Sequence, residues 1–116
     1  MTAIDRDRGR RVIALFADYL AEKEDIYITE LEGLGFVILH DLQGDLFERN
    51  VVCRDARKLF EALQELWEAD FLFFKGMENG CEDFDSSEES LTIEQRDERD
   101  LVRRERYQAL ETILES

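Results

Sequence analysis

Residues 26–53 read IYITELEGLGFVILHDLQGDLFERNVVC, and this stretch decides the fold. It holds three runs rich in β-branched and aromatic residues, each typical of a β-strand: Ile26–Leu31, Phe36–His40 and Leu46–Cys53. Glycine-containing turns at 33–35 and 43–45 separate the runs. Because connections this short cannot carry a parallel crossover, the sequence predicts an antiparallel meander of three strands.

A helix is predicted on each side of the meander. The first covers Ile4 to Glu24, because its apolar residues from Val12 to Leu20 recur on one helical face. Gly9 weakens its first turns by up to ~1 kcal/mol relative to Ala, so we expect fraying there. The second helix begins after Asp55, a plausible N-cap, and ends at Asp70.

The remainder of the chain is predicted to form one more strand, a loop and a helix. Phe71–Phe74 is a short apolar run that indicates a buried fourth strand. A long acidic loop follows at 78–90, and a C-terminal helix covers 91–116, where Thr92 and Gln95 have the spacing of a capping box. The sequence therefore predicts a single α+β domain over 1–116. It has an antiparallel sheet of about four strands packed by helices, in the order helix-strand-strand-strand-helix-strand-helix.

The charge of the chain is concentrated in one segment. The 116 residues include 15 Lys and Arg against 29 Asp and Glu, a net charge of −14. Residues 78–100 hold ten acidic and two basic residues, a net charge of −8. We expect these ten acids to form a partner-binding face: Glu78, Glu82, Asp83, Asp85, Glu88, Glu89, Glu94, Asp97, Glu98 and Asp100.

Several classes of protein and site are disfavoured. No apolar run approaches the roughly 18 residues of a membrane span, and the net charge opposes binding to a nucleic-acid backbone. Two cysteines and one histidine are too few for a structural zinc site, and two reduced thiols are typical of a cytoplasmic protein. Residues 83–94 match a calcium loop in part, but Glu88 stands where the sharp turn requires Gly. We therefore expect no metal and no cofactor.

An enzyme has little support from the sequence. The nearest approach to a catalytic set is His40, Cys53 and Cys81, since a cysteine nucleophile needs a base within hydrogen-bond reach. If the second and third strands pair around Gln43 and Gly44, His40 lies opposite Phe47. Cys53 is then six residues along the strand, roughly 20 Å away. A dyad of His40 with Cys53 is therefore excluded in that arrangement, and no catalytic residue is assigned.

Three functional classes remain, in descending order of support. The first is an interaction module whose acidic 78–100 face binds a basic protein or peptide, since charge steers association with a cationic partner. The second is an accessory or structural domain whose charge serves only solubility, and the third is a small enzyme. The apolar surface of Phe71–Phe74 and of the C-terminal helix also predicts a possible homodimer.

The order of predicted elements is loosely similar to that of the acidic class of type III secretion chaperones. The resemblance implies a small dimer that wraps a partner segment around an α/β body. It is confined to topology, because none of that family's sequence motifs occurs in this chain. It also requires a further strand after Phe74, near Cys81 to Asp85.

Overall fold

A three-stranded antiparallel sheet is the centre of the fold. The computed structural model describes residues 3–42, 45–81 and 87–115. The strands are β1 (Ile26–Leu31), β2 (Gly35–Leu42) and β3 (Asp45–Cys53), in the order β1-β2-β3. Ile28 pairs with Ile38, which in turn pairs with Val51. The predicted α+β class and the antiparallel meander are therefore confirmed.

Helices make up most of the remaining described residues. They are α1 (Ala3–Leu15), α2 (Ala17–Ala21), α3 (Ala56–Glu78), α4 (Ser87–Ser90) and α5 (Ile93–Glu115). Two of the predicted helix starts are confirmed. The Asp55 side chain accepts a hydrogen bond from the Lys58 N–H at 2.8 Å. Thr92 and Gln95 form the capping box, since each side chain accepts from the other residue's backbone N–H, at 3.1 and 2.9 Å.

One cluster of buried side chains joins the sheet to the helices. Along β1, Ile26 and Ile28 belong to this core or pack against it, whereas Tyr27 is exposed. The fully buried side chains come from the whole length of the chain: Val12, Phe16, Phe36, Ile38, Cys53, Leu59, Phe60, Leu63 and Leu110. The back half of α5 is therefore docked on the body of the molecule.

The predicted fourth strand is wrong, because Phe71–Phe74 is helical. α3 continues through Asp70 to Glu78, so the described sheet has three strands. A short apolar run is compatible with either structure, and no Gly or Pro separates it from the preceding helix. Within α3 the ring of Phe71 packs against Trp67 at 5.2 Å between centroids, one helical turn away. This contact favours continuation of the helix.

The boundaries of two other predicted elements are also corrected. The predicted helix 4–24 is interrupted at Phe16, whose N–H bonds to the Ile13 carbonyl at 3.0 Å, a spacing tighter than in an α-helix. The loop at 78–90 is shortened from both sides, because α3 includes Glu78 and α4 covers Ser87–Ser90. The predicted strand near Cys81 to Asp85 falls largely outside the described residues.

Candidate functional site

The predicted acidic face divides into three groups. Glu82, Asp83 and Asp85 lie outside the described residues. Glu78 ends α3 and is 3.7 Å from the Lys75 ammonium. The other six lie on α4 or on the first half of α5: Glu88, Glu89, Glu94, Asp97, Glu98 and Asp100. Most of the described candidates thus lie on two consecutive helices, although the structure gives them different roles.

Two of the acids pair with Arg99 of α5, and one of them, Glu88, joins α4 to α5. The Arg99 side chain is buried, with 9% of the residue exposed, and it contacts the Glu88 carboxylate. Its Nε also donates to Asp100 at 3.3 Å. Burial lowers the pKa of Arg99, but the hydrogen bonds to Glu88 and Asp100 outweigh it, and the pKa is raised overall. Glu88 and Asp100 therefore share the positive charge of Arg99, and their contacts with it are structural.

Hydrogen bonds from the Arg96 and Asn79 side chains also hold the same helices together. Arg96 Nη2 donates to the carbonyls of Glu88 and Glu89, at 3.0 and 3.5 Å. Asn79, which follows α3, donates to the Ser90 carbonyl and to Gln95 Oε1, both at 2.8 Å. These hydrogen bonds fix the positions of α4 and of the start of α5. The acids on these two helices are therefore held in defined positions.

Four acids remain exposed and form no ion pair with any described residue: Glu89, Glu94, Asp97 and Glu98. Three of them have the i, i+3, i+4 spacing that places side chains on one face of α5. Ile93 is 78% exposed and Leu101 is 50% exposed on the same side of the helix. We call Ile93, Glu94, Asp97, Glu98 and Leu101 the α5 face.

Ile93 and Leu101 were not predicted as members of the partner-binding face. The helical spacing of the sequence shows which acids Leu101 accompanies. Leu101 follows Asp97 by four residues and Glu94 by seven, so it lies with the acids. The docked side of α5 instead carries Leu110 and Ile113, both buried in the core.

His40 is half-enclosed beside α3 and paired with a carboxylate. Its Nε2 lies 3.1 Å from Asp25 Oδ2, and its Nδ1 is buried without a hydrogen-bond partner among the described residues. Burial raises the pKa of Asp25. Hydrogen bonding from His40 and the charge of Lys23 together lower the pKa by more than burial raises it, so the net shift is downward. A cavity of about 210 Å³ adjoins the imidazole and is lined mainly by apolar side chains, with Glu65.

The predicted separation of His40 from Cys53 holds, although its register is corrected. A bulge between His40 and Leu42 places His40 opposite Arg49, whereas Cys53 pairs with Phe36 at the far end of β2. Four residues of strand, about 13 Å, separate them. Burial raises the pKa of the Cys53 thiol, with a further contribution from Asp55, so it stays protonated. Cys81 is absent from the residues that line the cavity at His40.

A polar chain connects His40 to α2 and α3. Lys23 Nζ lies 3.7 Å from Asp25 and 3.2 Å from Asp70, and the Tyr19 hydroxyl donates to Asp70. Burial and this carboxylate raise the pKa of Tyr19 well above its usual range. Tyr19 and Asp70 are 51 residues apart, so no local sequence pattern predicts their contact.

No metal or membrane site emerges from the part of the chain that the structure describes. No three His, Cys, Asp or Glu side chains are grouped there so that they could hold an ion. No helix in residues 3–42, 45–81 and 87–115 has both the length and the apolar content needed to cross a membrane. Comparisons with protein-family models, curated proteins and solved structures returned no match to this chain.

Proposed function

We propose that this protein is an interaction module that binds a basic protein partner through the α5 face. The observation that carries the proposal is the exposed set Glu94, Asp97 and Glu98, which form no ion pair among the described residues and lie beside exposed Ile93 and Leu101. Charges that served only solubility would need no apolar neighbours. Apolar contacts within a charged rim are the usual composition of a protein interface.

The ten predicted acids contribute in different ways. Glu89 extends the α5 face onto α4, and Glu78 adds charge at the end of α3. Glu88 and Asp100 support the face through Arg99, whose positive charge offsets part of theirs. Glu82, Asp83 and Asp85 stay in the proposal on the sequence alone. A field of this sign steers a cationic partner toward the surface and raises the association rate.

The test compares two variants of equal charge. In the face variant, the four exposed acids become amides: Glu89→Gln, Glu94→Gln, Asp97→Asn and Glu98→Gln. In the scattered variant, the same change is made at four exposed acids elsewhere: Asp7→Asn, Glu24→Gln, Glu32→Gln and Glu115→Gln. Basic proteins are captured at low salt from the native lysate, and their binding is measured with each purified variant.

We expect the face variant to lose about tenfold or more in association rate, while the scattered variant keeps most of it. Equal losses in the two variants would show that only overall charge matters. This result would favour the alternative, an accessory domain whose charge serves only solubility. A third variant, Ile93→Ser with Leu101→Ser, keeps every charge. It should speed dissociation if the apolar neighbours are part of the interface.

A cytoplasmic location is part of the same proposal. Its support is that neither Cys53 nor Cys81 forms a disulfide, and that Cys53 is buried. Thiols persist in a reducing compartment and tend to form disulfides elsewhere. Mass analysis of protein purified from its native cells under alkylating conditions should find both cysteines reduced.

A further inference from the structure

The C-terminal half of α3 exposes a cluster of large apolar side chains. Phe73, Phe74 and Met77 are 46, 54 and 58% exposed. The rings of the two phenylalanines contact each other edge to face at 5.4 Å. On an adjacent side of the helix, Gly76 packs against Ser87 of α4. A contiguous exposed apolar patch of this kind is typical of a contact surface.

A groove runs beside this cluster, between α2 and α3. Its volume is about 330 Å³, within the range of ligand and contact sites. Trp67, Phe71 and Phe74 line its α3 side, and Tyr19 lines its α2 side. Phe73 and Met77 do not line the groove. Being four residues apart, they form a ridge along the neighbouring side of the helix.

The charges around the groove are nearly balanced. Lys23 lies 3.2 Å from Asp70, and Lys75 lies 3.7 Å from Glu78, so two of the three carboxylates that line the groove are paired. Glu22 is the third. This surface therefore offers little attraction to a cationic partner. An identical surface could approach it without the repulsion that the chain's net charge of −14 would create elsewhere.

We propose that a second copy of this chain docks here, with a two-fold axis between the ridge and the groove. A ridge beside a groove on one helix is self-complementary under two-fold rotation. The ridge of each copy, Phe73 and Met77, then enters the groove of the other. Closed two-fold dimers are built from such isologous patches.

The exposed area supplies a large part of what a modest dimer requires. If a large side chain presents about 200 Å², the three exposed residues leave about 300 Å² of apolar surface. A typical interface buries about 800 Å² per partner, about 65% of it apolar in homodimers. The patch thus supplies more than half of the apolar area, and the partly exposed edges of Trp67 and Phe71 add to it. We expect a dissociation constant in the micromolar range.

The experiment is sedimentation velocity of the full chain, from low micromolar to millimolar concentration. We expect the wild type to shift to the dimer mass as concentration rises. The variant Phe73→Glu with Met77→Glu should stay monomeric, because two like charges per copy would be buried in the interface. The matched variant, Leu31→Glu with Val52→Glu, adds the same charges to the exposed side of the sheet and should still dimerise.

A second pair of substitutions guards against misfolding. Phe73→Ala with Met77→Ala adds no charge, and it should weaken dimerisation by about tenfold while circular dichroism remains that of the wild type. The proposal is overturned if the wild type is monomeric at millimolar concentration. It is also overturned if the sheet-side variant becomes monomeric while both α3 variants remain dimeric. Neither result bears on the α5 face, which lies on another helix.

Discussion

Gly9 of α1 lies buried against the ring of Phe36 on β2. A Cβ built on Gly9 would overlap carbon atoms of that ring. Helix propensity alone predicts that Ala would be better here by up to ~1 kcal/mol, and that the glycine would let the helix fray. Helix and sheet instead approach so closely that only a residue without a side chain fits between them. Packing therefore makes glycine the better residue at position 9, although helix propensity favours Ala.

Gly9→Ala should lower the free energy of unfolding by about 1–2 kcal/mol, because overpacking a core costs more than the helix propensity returns. Urea denaturation measures this change. The double variant Gly9→Ala with Phe36→Leu removes ring atoms that the new methyl would meet, so its loss should be smaller than the sum of the single losses. A stabilisation of about 1 kcal/mol by Gly9→Ala alone would contradict the packing argument.

Asp25 connects the start of β1 to His40 on β2 and to Lys23. Because its pKa is lower in the folded protein than in the unfolded chain, the ionised carboxylate stabilises the fold. This stability is present above the unfolded pKa, and it is lost as the pH falls through the folded pKa.

Asp25→Asn should therefore destabilise the protein at pH 7, and the difference from the wild type should vanish progressively below about pH 4. Urea midpoints measured across this pH range check the expectation. Asp97→Asn is the matched control, since Asp97 is exposed and has no ion pair among the described residues. A constant difference between Asp25→Asn and the wild type at every pH would refute the role of the charge.

At the scale of elements, capping is local, whereas helix length depends on packing. The capping box at Thr92 and the N-cap at Asp55 are recognisable in the sequence, because a cap and its partner lie within three residues. The end of α3 is not recognisable in this way. Residues 71–74 suit a strand or a helix, and contacts with Trp67 and α4 decide between them.

Thr92→Ala should cost about 1 kcal/mol, because it removes the acceptor for the Gln95 N–H at the start of α5. Thermal or urea unfolding gives the value. Thr112→Ala makes the same substitution within the helix, where the hydroxyl only bonds back to the Gln108 carbonyl. It should be neutral or slightly stabilising. Similar losses at the two positions would argue against capping as the cause.

At the scale of the whole molecule, the excess of negative charge is unevenly compensated. Near the N-terminus, Arg6 and Arg10 both pair with Glu30, at 3.3 and 3.1 Å. On the α5 face the acids have no such partners among the described residues. Repulsion among them opposes folding and is relieved by salt, because exposed charges are screened within about 10 Å at 0.1 M ionic strength.

Raising the salt concentration from about 0.02 M to about 0.5 M should therefore raise the free energy of unfolding by on the order of 1 kcal/mol. The face variant defined above should start more stable at low salt and respond less to salt. The scattered variant should behave more like the wild type, since its four acids come from four separate segments of the chain. Chemical denaturation with urea, which is uncharged, measures the effect. An equal salt response in all three proteins would exclude local repulsion.

The sequence by itself determined the features that depend on near neighbours. These are the three strands of the meander, the caps at Asp55 and Thr92, and the concentration of acids in residues 78–100. Periodicity, turn residues and capping act over a few residues, so they can be recognised in a single amino-acid sequence.

Only the tertiary structure decided which features combine across the chain. It continued α3 through Phe71–Phe74, buried Arg99 between two of the predicted site acids and placed Gly9 against Phe36. It also left Ile93 and Leu101 exposed beside the unpaired acids. These outcomes depend on contacts between residues distant in sequence, where burial and charge pairing outweigh local propensity.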